Sequence, residues 1–163
     1  MSQAEQAGPR VRPMTQEDVD AVYDIDVRSY ALPWSVRAYR YELSQNANAR
    51  LWVAELPDER SRPRVVGMVV TWIILDEAHI GTIATHPDYR RRGVAEALMR
   101  QALRDAARQG AVQALLEVRR GNLPAQALYT KFGFKQTGVR PRYYQDNQED
   151  AFLMTLDPLE EQE

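Results

Sequence analysis

Two side chains that could transfer protons lie in the second half of the chain, Glu117 and Tyr129. Glu117 is the only ionisable residue in the apolar segment 112–118, where a charge costs free energy unless it has partners. Strand alternation places it on the same face as Leu115 and Arg119. Glu117 is therefore either a general base or a strand-end carboxylate paired with Arg119. Tyr129, on a short predicted helix, is either a proton donor or a core tyrosine.

A basic loop before a long helix is a second candidate site. The sequence Arg90-Arg91-Arg92-Gly93-Val94-Ala95 follows a predicted strand and opens a helix. A helix N-terminus carries backbone N–H groups without intrahelical acceptors and a partial positive charge, so it can bind an anion. Gly93 allows the backbone to approach a ligand closely. The segment has neither a Walker nor a Rossmann pattern, and it is either an anion site or a solvated turn.

Apolar residues with helical period follow this loop, and Gly110 would cap the end of the helix. They are Ala95, Leu98, Met99, Ala102, Leu103 and Ala106. The other patterns predict strands over 10–14, 51–55, 65–74, 78–85, 112–118, 134–139 and 150–156, and helices from 19, over 35–45 and over 122–132. This order predicts an α/β fold, with a mixed sheet of about seven strands and helices on its faces. The unit 78–118 predicts a parallel strand pair, near whose carboxyl ends ligands bind.

Composition excludes several functional classes. The 163 residues suit one globular domain, and the net charge of −2 favours neither nucleic acid nor acidic lipid. The chain has no cysteine, which removes disulfides, thiolate nucleophiles and cysteine-based zinc sites. With only two histidines, a histidine-rich metal site is not expected either. We therefore expect no metal cofactor.

The motifs together resemble a known enzyme family. Segment 90–95 resembles the pyrophosphate loop of the GNAT acyl-CoA N-acyltransferases. Segments 116–122, 127–129 and 133–134 resemble a block of the RimI-type N-terminal acetyltransferases, which acetylate the N-terminal alanine of one small-subunit ribosomal protein. Other matching segments are Leu32-Pro33-Trp34-Ser35, Leu75-Asp76-Glu77-Ala78, His86-Pro87-Asp88-Tyr89 and Arg142-Tyr143-Tyr144. The family pattern differs at Gly81-Thr82 and Thr85-His86, and we expect His86 to have no catalytic role.

The resemblance implies the GNAT fold, with a mostly antiparallel mixed sheet, a splayed parallel pair and about four helices. It implies that Glu117 is the general base and Tyr129 the general acid. It also assigns residues to binding acetyl-CoA, which are Ile83, Ala84, Thr85, Arg91, Arg92, Gly93, Val94, Ala95, Glu96 and Asn122. Four further residues are assigned to the acceptor peptide, which are Leu32, Pro33, Tyr143 and Tyr144.

The predicted reaction is direct acetyl transfer to the N-terminal alanine of a ribosomal protein, in a ternary complex with acetyl-CoA. An α-amino group has a pKa near 8, so a base must remove its proton before it can attack a thioester. A backbone N–H near Ala84 is the expected oxyanion donor. Two alternatives remain, an acetyltransferase for small amines and a non-catalytic acetyl-CoA sensor.

The ends of the chain are predicted to be tails. Residues 1–9 are polar, 10–158 form a single acetyltransferase domain, and 159–163 form an acidic tail. The first residues lack a basic segment followed by an apolar one, so no signal peptide is expected. No apolar run approaches the ~18 residues of a membrane span. The sequence therefore predicts a cytoplasmic protein without membrane or direct nucleic-acid contact.

Overall fold

The computed structural model describes residues 8–160 and confirms the predicted order of elements. Its strands are β1 Arg10–Pro13, β2 Ala49–Pro57, β3 Pro63–Ile74, β4 Glu77–Thr85, β5 Gln113–Arg119, β6 Lys135–Arg140 and β7 Ala151–Leu156. Its α-helices are α1 Val19–Ser29, α2 Val36–Gln45, α3 Val94–Arg108 and α4 Leu123–Lys131. Short 3₁₀ turns occupy Gln16–Asp18 and Pro87–Tyr89. Most boundaries agree with the predicted ones to within two residues.

The seven strands form one mixed sheet in the order β1-β2-β3-β4-β5-β7-β6. The predicted parallel pair is β4 with β5, and its register runs from Glu77 opposite Gln113 to Ile80 opposite Leu116. β7 lies between β5 and β6 and is antiparallel to both. The expected fold class, a mixed sheet with one parallel pair and four helices, is thereby confirmed for the described residues. The sheet places β6, a late element of the chain, two strands away from β5.

Helix α3 carries the predicted apolar stripe with one change at its start. Leu98, Met99, Ala102, Leu103 and Ala106 are fully buried, as their spacing predicts. At the first turn the buried residue is Val94, whereas Ala95 is half-buried. Val94 lies within 2.6 Å of the place where a Cβ on Gly67 of β3 would be, so that glycine gives the helix start its room. Gly110 ends the helix with φ of +95°, as expected of a C-terminal cap.

The connection between α1 and α2 is held by a buried carboxylate. Asp26 on α1 is 1% exposed, and its Oδ2 accepts hydrogen bonds from the Trp34 N–H at 3.0 Å and the Tyr39 hydroxyl at 2.6 Å. Burial raises the pKa of Asp26 although both hydrogen bonds oppose that rise. These contacts fix the loop that presents Leu32, which is exposed, and Pro33.

The described residues form two compact units. One contains residues up to 71 together with 82–102, and the other contains 72–81 and the residues from 103 on. The single-domain interpretation of 10–158 stays a prediction. Of the predicted tails, residues 1–7 and 161–163 lie outside the described residues. Leu159, assigned to the acidic tail, is buried and donates its N–H to the Val112 carbonyl at 2.8 Å.

Within residues 8–160, no helix combines the length and the apolar character that crossing a membrane requires.

Candidate active site

Glu117 is the centre of a cluster of polar side chains in the second unit. On β5, the alternate residues Ala114, Leu116 and Val118 are buried, while the Glu117 side chain is 26% exposed on the other face. Its Oε1 lies 2.9 Å from Nε of Arg140, at the end of β6. The side chain of Tyr143, in the following loop, interacts with the same carboxylate.

The pairing of Glu117 with Arg140 corrects one expectation from the sequence. Strand alternation indicated Arg119 as a possible partner of Glu117, but in the structure Glu117 forms its ion pair with Arg140. The sheet register explains the change, because Glu117 and Gly138 both lie opposite Leu153, and Arg140 is two residues beyond Gly138. Adjacent strands are about 4.8 Å apart, so a long side chain from β6 can cross β7 and reach β5.

Tyr143 is half-exposed, and the same carboxylate changes the pKa of its phenol. Its hydrogen bond to Glu117 raises the pKa of the phenol, and burial adds to the rise, because both favour the neutral hydroxyl. Tyr143 therefore stays a hydrogen-bond donor at neutral pH. Its ring is perpendicular to that of Tyr144, with centroids 5.2 Å apart, so the two predicted peptide-binding tyrosines pack against each other.

Arg119 instead holds the loop between β6 and β7. Its guanidinium forms ion pairs with Asp146 at 3.0 Å and Glu149 at 3.3 Å, and its Cζ lies 3.9 Å from the centroid of the Tyr144 ring. Glu149 also accepts the Gly121 N–H at 2.7 Å, which is the main cause that holds the pKa of Glu149 below its usual value. We call Arg119, Tyr144, Asp146 and Glu149 the Arg119 cluster. Because it joins the tyrosine loop to the end of β5, it sets where Tyr143 meets Glu117.

Tyr129 and Asn122 lie on α4, within the same unit. Tyr129 is buried on the helix and its ring packs against Phe134, with centroids 6.0 Å apart. Asn122 caps the helix, and its side-chain oxygen accepts the Ala125 N–H at 3.3 Å. That cap uses only the oxygen of the amide, so the nitrogen is available to donate to a ligand. Burial of Tyr129 fits both a core tyrosine and a proton donor.

The loop before α3 has the conformation of an anion site. Arg91 and Gly93 have positive φ values of +63° and +78°, and the Gly93 carbonyl accepts the first helical N–H, that of Ala97, at 3.0 Å. The N–H groups of Val94, Ala95 and Glu96 belong to the first turn, where no intrahelical acceptor exists. A Cβ built on Gly93 would meet no atom within 4 Å, so the space beside the loop is open. These features fit a cofactor that carries a pyrophosphate.

Tyr89 supports this loop from its start. The Cζ atoms of Arg64 and Arg92 lie 5.3 Å and 5.5 Å from the centroid of the Tyr89 ring, so two guanidinium groups stack with one phenol. His86 accepts the Asp88 N–H through Nδ1 at 3.1 Å and thereby caps the 3₁₀ turn. This contact gives His86 a structural role in the turn, and the expectation that it has no catalytic role stays a prediction.

The strand segment that leads into this loop contains Ile83, Ala84 and Thr85. The Ile83 carbonyl accepts a hydrogen bond from the Tyr30 hydroxyl, and burial raises the pKa of that phenol. Directly after this segment, the His86 N–H bonds to the Val66 carbonyl on β3 at 2.7 Å. Tyr30 therefore orients the segment that the resemblance assigns to acetyl-CoA.

The predicted site residues divide between the two units. Glu117, Asn122, Tyr129, Tyr143 and Tyr144 belong to the second unit, and the structure brings Glu117 together with Tyr143. The remaining residues belong to the first unit, and they are Leu32, Pro33, Ile83, Ala84, Thr85, Arg91, Arg92, Gly93, Val94, Ala95 and Glu96.

Tyr30 and Arg140 were missed from the sequence, and Arg119 was considered only as a possible partner of Glu117. Tyr30 precedes the matching segment that starts at Leu32, and Arg119 lies inside a matching block, so both carried a signal. Arg140 carried none, because the segment Lys135–Arg140 shows no alternation of buried and exposed residues that would mark it. Among residues 8–160, no group of three or more histidine or acidic side chains is arranged to hold a metal.

Comparisons with known proteins agree with the resemblance. The model of the acetyltransferase (GNAT) family matches residues 19–134. A putative ribosomal protein bS18-alanine N-acetyltransferase from Bacillus subtilis is 40% identical over 144 residues, which cover 88% of this chain and 92% of that protein. The ribosomal protein bS18-alanine N-acetyltransferase of Escherichia coli K12 is 33% identical, over 85% and 90% of the two chains.

A solved structure extends this agreement to three dimensions. The crystal structure of the ribosomal-protein-S18-alanine N-acetyltransferase from Escherichia coli superposes with a TM-score of 0.79 and 30% sequence identity. The match covers 93% of this chain and 94% of that one. The similarity therefore extends over most of both chains.

Proposed function

The chain belongs to the acetyltransferase (GNAT) family, and on that premise we propose that it acetylates the N-terminal alanine of ribosomal protein bS18, with acetyl-CoA as donor. The observation that carries this proposal is the carboxylate of Glu117, which lies on the face of β5 opposite the buried residues and 2.9 Å from Nε of Arg140, next to the loop assigned to the peptide. The similarity to bS18-alanine N-acetyltransferases over most of both chains supports the choice of acceptor. An acceptor of this kind is made in the cytoplasm, where we propose that the protein acts.

Glu117 is proposed as the general base. An α-ammonium group has a pKa near 8, and only its neutral form has the lone pair needed for attack. Acetyl-CoA supplies a thioester carbonyl, to which the amine nitrogen forms a new bond while the bond to the sulfur breaks. The Glu117 carboxylate, directly or through one water, takes the proton from the amine. Tyr129 is proposed to give a proton to the departing thiolate, so charge balances on both sides.

The first unit is proposed to hold the donor. The first-turn N–H groups of α3 and the side chains of Arg91 and Arg92 would contact the pyrophosphate, with Gly93 allowing close approach. The segment Ile83–Thr85 would bind the acetyl-pantetheine arm through its backbone, with a donor near Ala84 for the oxyanion. Asn122 would add one amide contact.

The acceptor peptide is proposed to meet exposed residues. Leu32 and Tyr143 are each about half-exposed, and large apolar or aromatic side chains at the surface are suited to grip an extended peptide. Pro33 and Tyr144 belong to the same loops and are proposed to contact the peptide beside Leu32 and Tyr143. The absence of cysteine leaves no thiol for an acetyl-enzyme, so transfer would be direct.

A peptide panel tests this proposal. The purified protein is incubated with acetyl-CoA and synthetic peptides that begin with the bS18 sequence, with other alanine, serine or methionine residues, or with a blocked N-terminus and a free lysine. Mass spectrometry reads where the acetyl group is added. We expect the bS18 peptide to be acetylated at its α-amino group and the blocked peptide to remain unmodified. Acetylation of polyamines alone would overturn the acceptor assignment, and cofactor binding without any turnover would overturn the activity.

A further inference from the structure

The cation beside Glu117 has a consequence for the acceptor amine. An isolated carboxylate stabilises a nearby ammonium and so opposes the deprotonation that the reaction needs. In this structure, Nε of Arg140 lies 2.9 Å from the carboxylate and already compensates its charge. The Arg140 side chain is 55% exposed, so an acceptor can approach the pair from solvent.

We propose that Arg140 is a positioning residue that offsets the charge of Glu117, so that the bound acceptor amine loses its proton more readily. This inference rests on the proposed function, because it concerns the same carboxylate and the same amine. Arg140 acts in two ways that reinforce each other. It compensates the charge of Glu117, and as a like charge it disfavours the ammonium form of the acceptor.

The other charged groups of this region do not replace Arg140. Arg119, two residues after Glu117, is neutralised by the carboxylates of its own cluster, and Arg120 lies 3.6 Å from Asp150. Tyr143 faces Glu117 from the loop as a neutral donor. The residues of β7 opposite this part of the sheet, Ala151 and Leu153, are apolar. Among residues 8–160, Arg140 is the ion-pair partner of Glu117, so its removal leaves the carboxylate without a cation in contact there.

The pH dependence of kcat measures this effect, because it reports ionisations in the enzyme–substrate complex. With peptide and acetyl-CoA saturating, we expect the acidic limb for Arg140→Gln to move upward by roughly 0.5–1 pH unit, as one partly screened charge at contact distance predicts. The rate at pH 7 then falls roughly 3–10-fold, and raising the pH restores it. Arg140→Lys retains a cation and is expected to rescue the profile.

Two controls separate this role from a structural one. Lys135→Gln removes a positive charge from the other end of β6, where the side chain is exposed, and should leave the limb unmoved. In a Glu117→Gln background, Arg140→Gln should produce a smaller shift, because the charge to be offset is absent and only the direct repulsion of the ammonium by Arg140 remains. Thermal unfolding of each variant confirms that it is folded.

The outcomes are distinguishable. A wild-type enzyme that acetylates the peptide, with an acidic limb that shifts in Arg140→Gln and returns in Arg140→Lys, supports the inference. Normal wild-type turnover with an unmoved or downward-moved limb in Arg140→Gln overturns the inference and leaves the proposed function standing. If the wild type fails to acetylate every N-terminus in the panel, the proposed function fails and this inference fails with it.

Discussion

The loop before α3 and the cluster around Glu117 differ in whether their charged side chains form ion pairs within the protein. Within residues 8–160, no carboxylate forms an ion pair with Arg91 or Arg92, and both residues are exposed. Around Glu117, by contrast, the carboxylate has both a cation and a hydroxyl in contact. A surface that receives an anionic ligand keeps its positive charge available, because that charge is then neutralised by the ligand. The carboxylate proposed to exchange a proton is, in contrast, paired with a cation of the protein itself.

Glu117→Gln would test the reactive side of this comparison most strongly. The amide keeps the size of the side chain but cannot take a proton, and general base catalysis contributes about 10²–10⁴-fold. We expect kcat to fall by about that factor while the Kd for acetyl-CoA is unchanged. Steady-state kinetics at several pH values and calorimetric titration measure the two quantities. Wild-type rates across that pH range would remove Glu117 from its assigned role.

Tyr129→Phe tests whether the buried tyrosine is part of the chemistry or only of the core. Phenylalanine preserves the packing on Phe134, so a core role predicts a small change in stability and normal kcat. A proton donor predicts a fall in kcat of about 10²-fold with little change in the melting temperature. Single-turnover kinetics beside thermal unfolding distinguishes the two roles.

Gly93→Val tests the anion-binding side. The φ of +78° is strained for any residue with a Cβ, and a branched side chain would occupy the space where the cofactor approaches. We expect the Kd for acetyl-CoA to rise about 10-fold or more, by calorimetry. Gly110→Ala is a matched control, because φ is +95° and the space around it is also open. It should cost stability alone, and equal losses of affinity in both variants would contradict the loop assignment.

Arg119→Met tests whether the loop of the tyrosines needs its anchor. Without the guanidinium, Asp146 and Glu149 repel one another and Tyr144 loses its stacking partner. We expect the KM for peptide to rise only several-fold, because surface ion pairs are each worth about 1 kcal/mol or less. The KM for acetyl-CoA should stay constant. Arg120→Met, which removes a single longer contact with Asp150, is the control and should change neither constant.

Much of the fold could be predicted because it is recorded locally. The period of α3 and the left-handed Gly110 that ends it each depend on residues within a few positions of one another. The family resemblance is confirmed for the same reason, since contiguous motifs such as 90–95 are read directly from the chain. The one error in the α3 stripe, Ala95 in place of Val94, arose where the helix starts and β3 decides which residue is covered.

The sequence by itself determined the order and type of the elements, the family and the two candidate sites. Only the tertiary structure decided the partners of the charges. Glu117 and Arg119 share a strand face and were natural partners for one another, yet each pairs with a residue more than twenty positions away. The physical reason is the register of β6 on β7 and of β7 on β5, which carries Arg140 and the 141–150 loop to that face. Local spacing does not contain that register, because it is set by the packing of strands distant in the chain.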